Sequence, residues 1–224
     1  MNLYQIPEWF YAYSVFLQFL FAIVTAFVAY YSYRIYQISQ ERDARLFSFS
    51  FLFISVSYWA WLCLSFFVLE PIGKFTYSVN LETASFFELV PIYIHLTFFI
   101  VGLATLTYKR LGIKDNTVYY LILALTLPFL FIAYRKVDFT YIISTVLLIF
   151  IVSLYIRDYI KTKNKPVLIL AFSFLLILVS CICFIYGDNS HGAYVAGHIF
   201  LSAGYIIILI KMLAIVKHEW KKTK

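Results

Sequence analysis

Long apolar stretches alternate with short polar ones along this chain, and the apolar stretches set its architecture. Seven can be marked, at roughly 9–33, 46–69, 84–107, 117–134, 139–156, 167–186 and 190–216. Each approaches the ~20 residues that an α-helix needs to cross a hydrocarbon core of ~30 Å. The two shortest, 117–134 and 139–156, would merge into one only if the turn between them lay in lipid. That turn, Tyr134-Arg135-Lys136-Val137-Asp138, carries three charges, which lipid accepts only at high cost. The pattern therefore predicts an all-α integral membrane protein, a single domain over 1–224 built as a seven-transmembrane helix bundle.

Composition agrees. Apolar residues make up 63% of the chain and charged residues 13%, a balance that a soluble domain of this size does not show. No basic segment precedes the first helix and no small-residue cleavage site follows it, so that helix is expected to be retained. The basic residues fall on alternate sides of the predicted spans. Fourteen, among them Arg34, Lys109, Arg157 and Lys217, lie on one side, and three (Lys74, Arg135 and Lys136) lie on the other. The richer side is read as cytoplasmic. This places the N-terminus outside and the C-terminus inside a cell membrane. The net charge of +7 then reports topology and attraction to the lipid bilayer, not affinity for nucleic acid.

The longest outer connection, Glu70 to Thr83, holds Pro71, Gly73 and Asn80 and reads as a loop capping the bundle. No soluble output domain is expected from these residues. A signalling role would therefore need a cytoplasmic partner, or a second copy of the chain as a homo-oligomer.

An internal repeat is the most informative pattern. Phe49-Ser50-Phe51-Leu52-Phe53-Ile54-Ser55-Val56-Ser57 in helix 2 matches Phe172-Ser173-Phe174-Leu175-Leu176-Ile177-Leu178-Val179-Ser180 in helix 6 at seven of nine positions. The same offset of 123 aligns Arg34-x-Tyr36 with Arg157-x-Tyr159. Helices 3 and 7 align at an offset of 103, pairing Glu88 with His191 and His95 with His198. Two parallel halves, 9–107 and 139–216, would thus be joined by helix 4 in a 3+1+3 plan.

As topology, this plan resembles the group that contains the SWEET sugar transporters, the PnuC vitamin transporters and the microbial rhodopsins. The resemblance implies a helical bundle with a central binding site. The motifs do not follow it. No Pro-Gln pair of the SWEET type is present, and Lys211, the one lysine inside helix 7, lies near its cytoplasmic end, where snorkelling accounts for it. Retinal is not expected. The seven-helix zinc hydrolases are excluded too, because helix 2 lacks histidine and the helix 7 histidines are seven residues apart instead of four.

Ionisable groups inside a span cost ~2.5–3.5 kcal/mol on insertion scales, so each needs a reason. Glu88 and His95 are seven apart on helix 3, and His191 and His198 are seven apart on helix 7, so each pair shares a face. Together they predict a ladder descending from the outer mouth, with Pro91 bending helix 3 between its two members. Such a ladder suits a proton relay or a proton-coupled solute site. It also suits a divalent metal, with His95 and His198 as ligands. Those two histidines on their own are a ligand pair for haem. Cys63, Cys181 and Cys183 fall inside helices and read as apolar filler.

The leading expectation is a transporter of a small solute or cation, with a Glu/His site between helices 3 and 7. A sensor or receptor-like protein acting through a separate partner, and a haem- or metal-binding redox protein, stand as alternatives. A hydrolytic enzyme is not expected, since no nucleophile has a base at usable spacing.

Overall fold

The computed structural model describes residues 6–67, 70–72, 76–78, 86–132, 136–187 and 190–222. Among the described residues there are seven helices: α1 (Glu8–Ser39), α2 (Arg42–Phe67), α3 (Phe86–Leu111), α4 (Asn116–Ile132), α5 (Lys136–Thr162), α6 (Lys165–Ile185) and α7 (His191–Lys222). All but α4 are long and apolar enough to cross a membrane; α4 is a shorter apolar helix of 17 residues. The chain is a multi-pass helical membrane protein. The charged turn expected before residue 139 is partly helical, because α5 already begins at Lys136 and takes in Asp138. α3 runs on as a helix through Pro91.

The all-helical architecture expected is the one observed, with a small addition at the connection between α2 and α3. Short strands β1 (Ile6–Pro7), β2 (Glu70–Ile72) and β3 (Thr76–Ser78) form an antiparallel sheet in the order β1-β3-β2. Pro7 and Pro71 sit on its outer strands, where a missing N–H is tolerated. Strand β3 thereby pairs with the segment that leads into α1.

The long helices form a closed ring. α1 packs on α2, α2 on α3, α3 on α5, α5 on α6, α6 on α7, and α7 on α1. α4 lies outside the ring against α3 and α5, and Leu130 is its one buried residue among those described.

Hydroxyl groups stitch α1 to α2. Ser55 donates to the Ala22 carbonyl (2.9 Å), Ser48 to that of Ala29 (2.8 Å) and Ser32 to that of Ala44 (3.0 Å). In lipid, where apolar burial gives helices little reason to associate, small residues and hydrogen bonds of this kind hold them together.

The two hairpins are built alike. α1 ends at Gln40 (φ 53°) and α5 at Lys163 (φ 52°), each in the left-handed region. Their amides bond back to Tyr36 (2.8 Å) and Tyr159 (2.7 Å). Ser39 Oγ accepts from the Glu41 amide (3.2 Å) and Thr162 Oγ1 from that of Asn164 (3.4 Å). All these pairs are 123 residues apart. The buried faces follow the same offset, from Phe21/Ser144 to Ser32/Tyr155 and from Ser50/Ser173 to Trp61/Phe184.

In α3 and α7 the buried faces coincide at 102, not at the expected 103. Ile92/Tyr194, Leu96/His198, Phe99/Leu201 and Leu103/Tyr205 are each buried pairs. One residue of shift turns a helix by ~100°, so His95 and His198 are not equivalent positions. Gly102 and Gly204, also 102 apart, lie against Ser50/Ile54 and Ser173/Ile177 respectively.

The basic end is tied by charge. Arg42 bonds to the Tyr108 hydroxyl and to the Ile113 carbonyl (3.2 Å), and Arg110 pairs with Asp158 over the Tyr155 ring. Gly112 (φ 69°) ends α3, a conformation that glycine adopts without strain. Asp115 caps α4 through the Thr117 amide (2.8 Å), a bond that holds its carboxyl below the usual range.

Candidate functional site

A cavity lies within the ring, and each of the six ring helices lines it. Gln18 comes from α1, Tyr58 from α2, His95 from α3, Thr140 from α5, Ser180 from α6 and His198 from α7. Its volume open to the centres of water molecules is about 30 Å³. On that measure one water needs ~10–15 Å³, so the space suits roughly two or three waters or one solute of similar bulk. The walls are aromatic, with Phe21, Trp61, Phe99 and Phe184 among them.

Both central histidines are buried. His95 Nδ1 lies 2.7 Å from Ser57 Oγ and 3.0 Å from the Ser57 carbonyl. A carbonyl only accepts, so Nδ1 carries the proton and Nε2 is left with a lone pair. His198 repeats this with its own helix: Nδ1 donates to the Tyr194 carbonyl at 3.0 Å. The rings are held by neighbouring aromatics, His95 by Trp61 at 4.6 Å between centroids, His198 by Tyr194 at 4.6 Å and Phe184 at 5.0 Å.

Two further polar groups lack partners. Gln18 is 2% exposed and Ser180 is 0% exposed, yet Gln18 Nε2 and Ser180 Oγ have no hydrogen bond. Ser65 Oγ bonds to Gln18 Oε1 at 2.8 Å. Whichever way the amide is turned, one of its terminal atoms stays unpaired. Deeper in the bundle, the hydroxyls of Tyr58 and Tyr205 meet at 3.0 Å.

Of the four residues expected to form a ladder, the structure brings His95 and His198 to one cavity. They face it from opposite sides of the ring, since α3 and α7 do not pack on each other among the described residues. His191 is exposed in the first turn of α7 and is not a lining residue. Glu88 falls in the first turn of α3, and its side chain lies outside the described residues. Among the described residues no three His, Cys, Asp or Glu side chains come together as metal ligands, so the two histidines stand without a third such donor.

Sequence reasoning passed over Gln18, Ser57 and Ser180. A signal for each was present. Gln18 is the one amide in the first apolar stretch, and Ser57 and Ser180 close the repeated nonapeptide. Compared with known protein families, curated proteins and solved structures, the chain matches none of them.

Proposed function

We propose that this chain is a membrane transporter of a small solute, working by alternating access about the central cavity. The observation that carries this reading is that all six ring helices line one small cavity, with a few polar groups set in aromatic walls, three helices from each of two similar triplets. Transporters built from repeats hold their substrate at the repeat interface and rock one half against the other. Here the two triplets are α1–α3 and α5–α7, supported by the paired turns at Gln40 and Lys163 and by the coincident buried faces.

The cavity also supports a direction for every helix. It is lined by early residues of α1, α3, α5 and α7 (Gln18, His95, Thr140, His198) and by late residues of α2 and α6 (Tyr58, Ser180). In this reading α1, α3, α5 and α7 run one way and α2 and α6 run back. α4 has to return the chain between α3 and α5, which makes it the seventh span. Its 17 residues reach ~25 Å, short enough to need local thinning of the bilayer. With the basic residues inside, the N-terminus is outside and the cavity lies toward the outer face of a cell membrane.

Cysteine accessibility tests alternating access. In a background with Cys63, Cys181 and Cys183 replaced by alanine, Ser180→Cys is expected to react with a membrane-impermeant methanethiosulfonate applied from outside. In inverted vesicles it is expected to react from inside as well. Reaction from one face only would reject the transporter and leave a one-sided binding site, as in a sensor.

A further inference from the structure

Resting on the reading of the cavity as a transport site, we propose that its ligand is a small uncharged molecule with at least two hydrogen-bond donors. Four polar groups are left for it. His95 and His198 each spend the Nδ1 proton on a carbonyl, of Ser57 and Tyr194, so each offers an Nε2 lone pair. Gln18 and Ser180 are buried and each has an unpaired polar atom. Buried polar groups are almost always satisfied, and an orphan marks a missing partner. Two bare imidazole nitrogens call for donors, and the Ser180 hydroxyl can give or accept.

Charge argues in the same direction. Among the described residues, no Asp, Glu, Lys or Arg lines the cavity. An ion entering it would lose its hydration without a counter-charge. The aromatic walls suit the carbon skeleton of a neutral solute, and the volume limits it to a few non-hydrogen atoms. Short amides and polyols have this chemistry. A metal ion would find two nitrogens without a third His, Cys, Asp or Glu donor among the described residues.

Trp61 lines the cavity and gives the readout. The full chain with Trp9, Trp59 and Trp220 replaced by phenylalanine is titrated in mild detergent with formamide, ethylene glycol and glycerol. Tetramethylammonium, zinc and formate serve as charged counterparts. At least one uncharged compound is expected to change Trp61 emission saturably, and Ser180→Ala and Gln18→Leu are each expected to weaken it about tenfold, the loss for one hydrogen bond. Circular dichroism confirms that each variant is folded. Saturation by a charged compound alone, or by none of the six, overturns the proposal. If an uncharged compound binds while Ser180→Cys reacts from one face only, the ligand class stands and transport falls. If both faces react and no uncharged compound binds, transport stands and the ligand class falls.

Discussion

Tyr58 and Tyr205 join α2 to α7 across the ring through a buried hydroxyl pair at 3.0 Å. Tyr58 also lines the cavity, and Phe21 and Phe51 pack against the Tyr205 ring at 5.8 and 6.4 Å between centroids. The pair links α2 to α7 beside the cavity. In the orientation proposed above, it would close the path inward.

Removing one hydroxyl leaves the other buried and unpaired, a loss of ~1–3 kcal/mol, whereas removing both is milder. Tyr58→Phe and Tyr205→Phe are therefore each expected to lower the melting temperature, and the double variant by less than the sum. A closing role adds a second expectation: Tyr205→Phe raises the reactivity of Ser180→Cys from the inside. Unchanged inside reactivity would leave the pair a packing contact.

The glycines of α3 and α7 test whether the two triplets are equivalent. A methyl group added at Gly102 would lie 2.6 Å from Ile54 Cγ1 and 2.9 Å from the Ser50 carbonyl. At Gly204 it would lie 2.8 Å from Ile177 Cγ1 and 3.0 Å from the Ser173 carbonyl. Backbone cannot yield cheaply, and such overpacking costs ~1–3 kcal/mol. Gly102→Ala and Gly204→Ala are expected to destabilise by similar amounts in thermal melts. Gly192→Ala, which meets nothing closer than 3.7 Å, is expected to be neutral. A large effect at one of the first two positions and none at the other would break the equivalence.

Much of this fold was legible in the sequence, and the reasons are specific. Span length and hydropathy are strong signals because lipid demands that each crossing satisfy its own backbone, so six long apolar helices emerge close to where the apolar stretches lie. Ser50 and Ser173 carried part of the likeness between α2 and α6, because small residues are needed where Gly102 and Gly204 approach those helices. The register of α3 and α7 was harder to read. Aligning histidine with histidine gave an offset of 103, but packing follows the glycines Gly102 and Gly204, which give 102. The buried faces follow the glycine register, one residue away from the one that pairs the histidines. The unpaired atoms of Gln18 and Ser180 could not be read at all, since an unmet hydrogen bond exists only once neighbours are placed.

Orientation can be checked directly. Ser190→Cys, exposed just before α7, is expected to label from outside intact cells, and Lys163→Cys, in the turn between α5 and α6, only after permeabilisation. The side with more lysine and arginine sets this expectation. Labelling of Ser190→Cys only from the cytoplasm would invert the whole arrangement, including the side to which the cavity opens.

The histidines carry the last expectation, which separates ligand contact from packing. In each ring Nδ1 serves the structure, through Ser57 or Tyr194, while Nε2 is free for a ligand. Asparagine places a polar atom near the former position of Nδ1, and glutamine near that of Nε2. His95→Asn and His198→Asn are therefore expected to keep most of the melting temperature and lose binding, read by Trp61 emission. His95→Gln and His198→Gln are expected to melt earlier yet keep part of the binding. If one ligand bridges both rings, His95→Ala combined with His198→Ala costs binding little more than either change made separately, because the first already breaks the bridge. Binding that tracks melting temperature across all these variants would mean that the histidines pack the bundle and do nothing more.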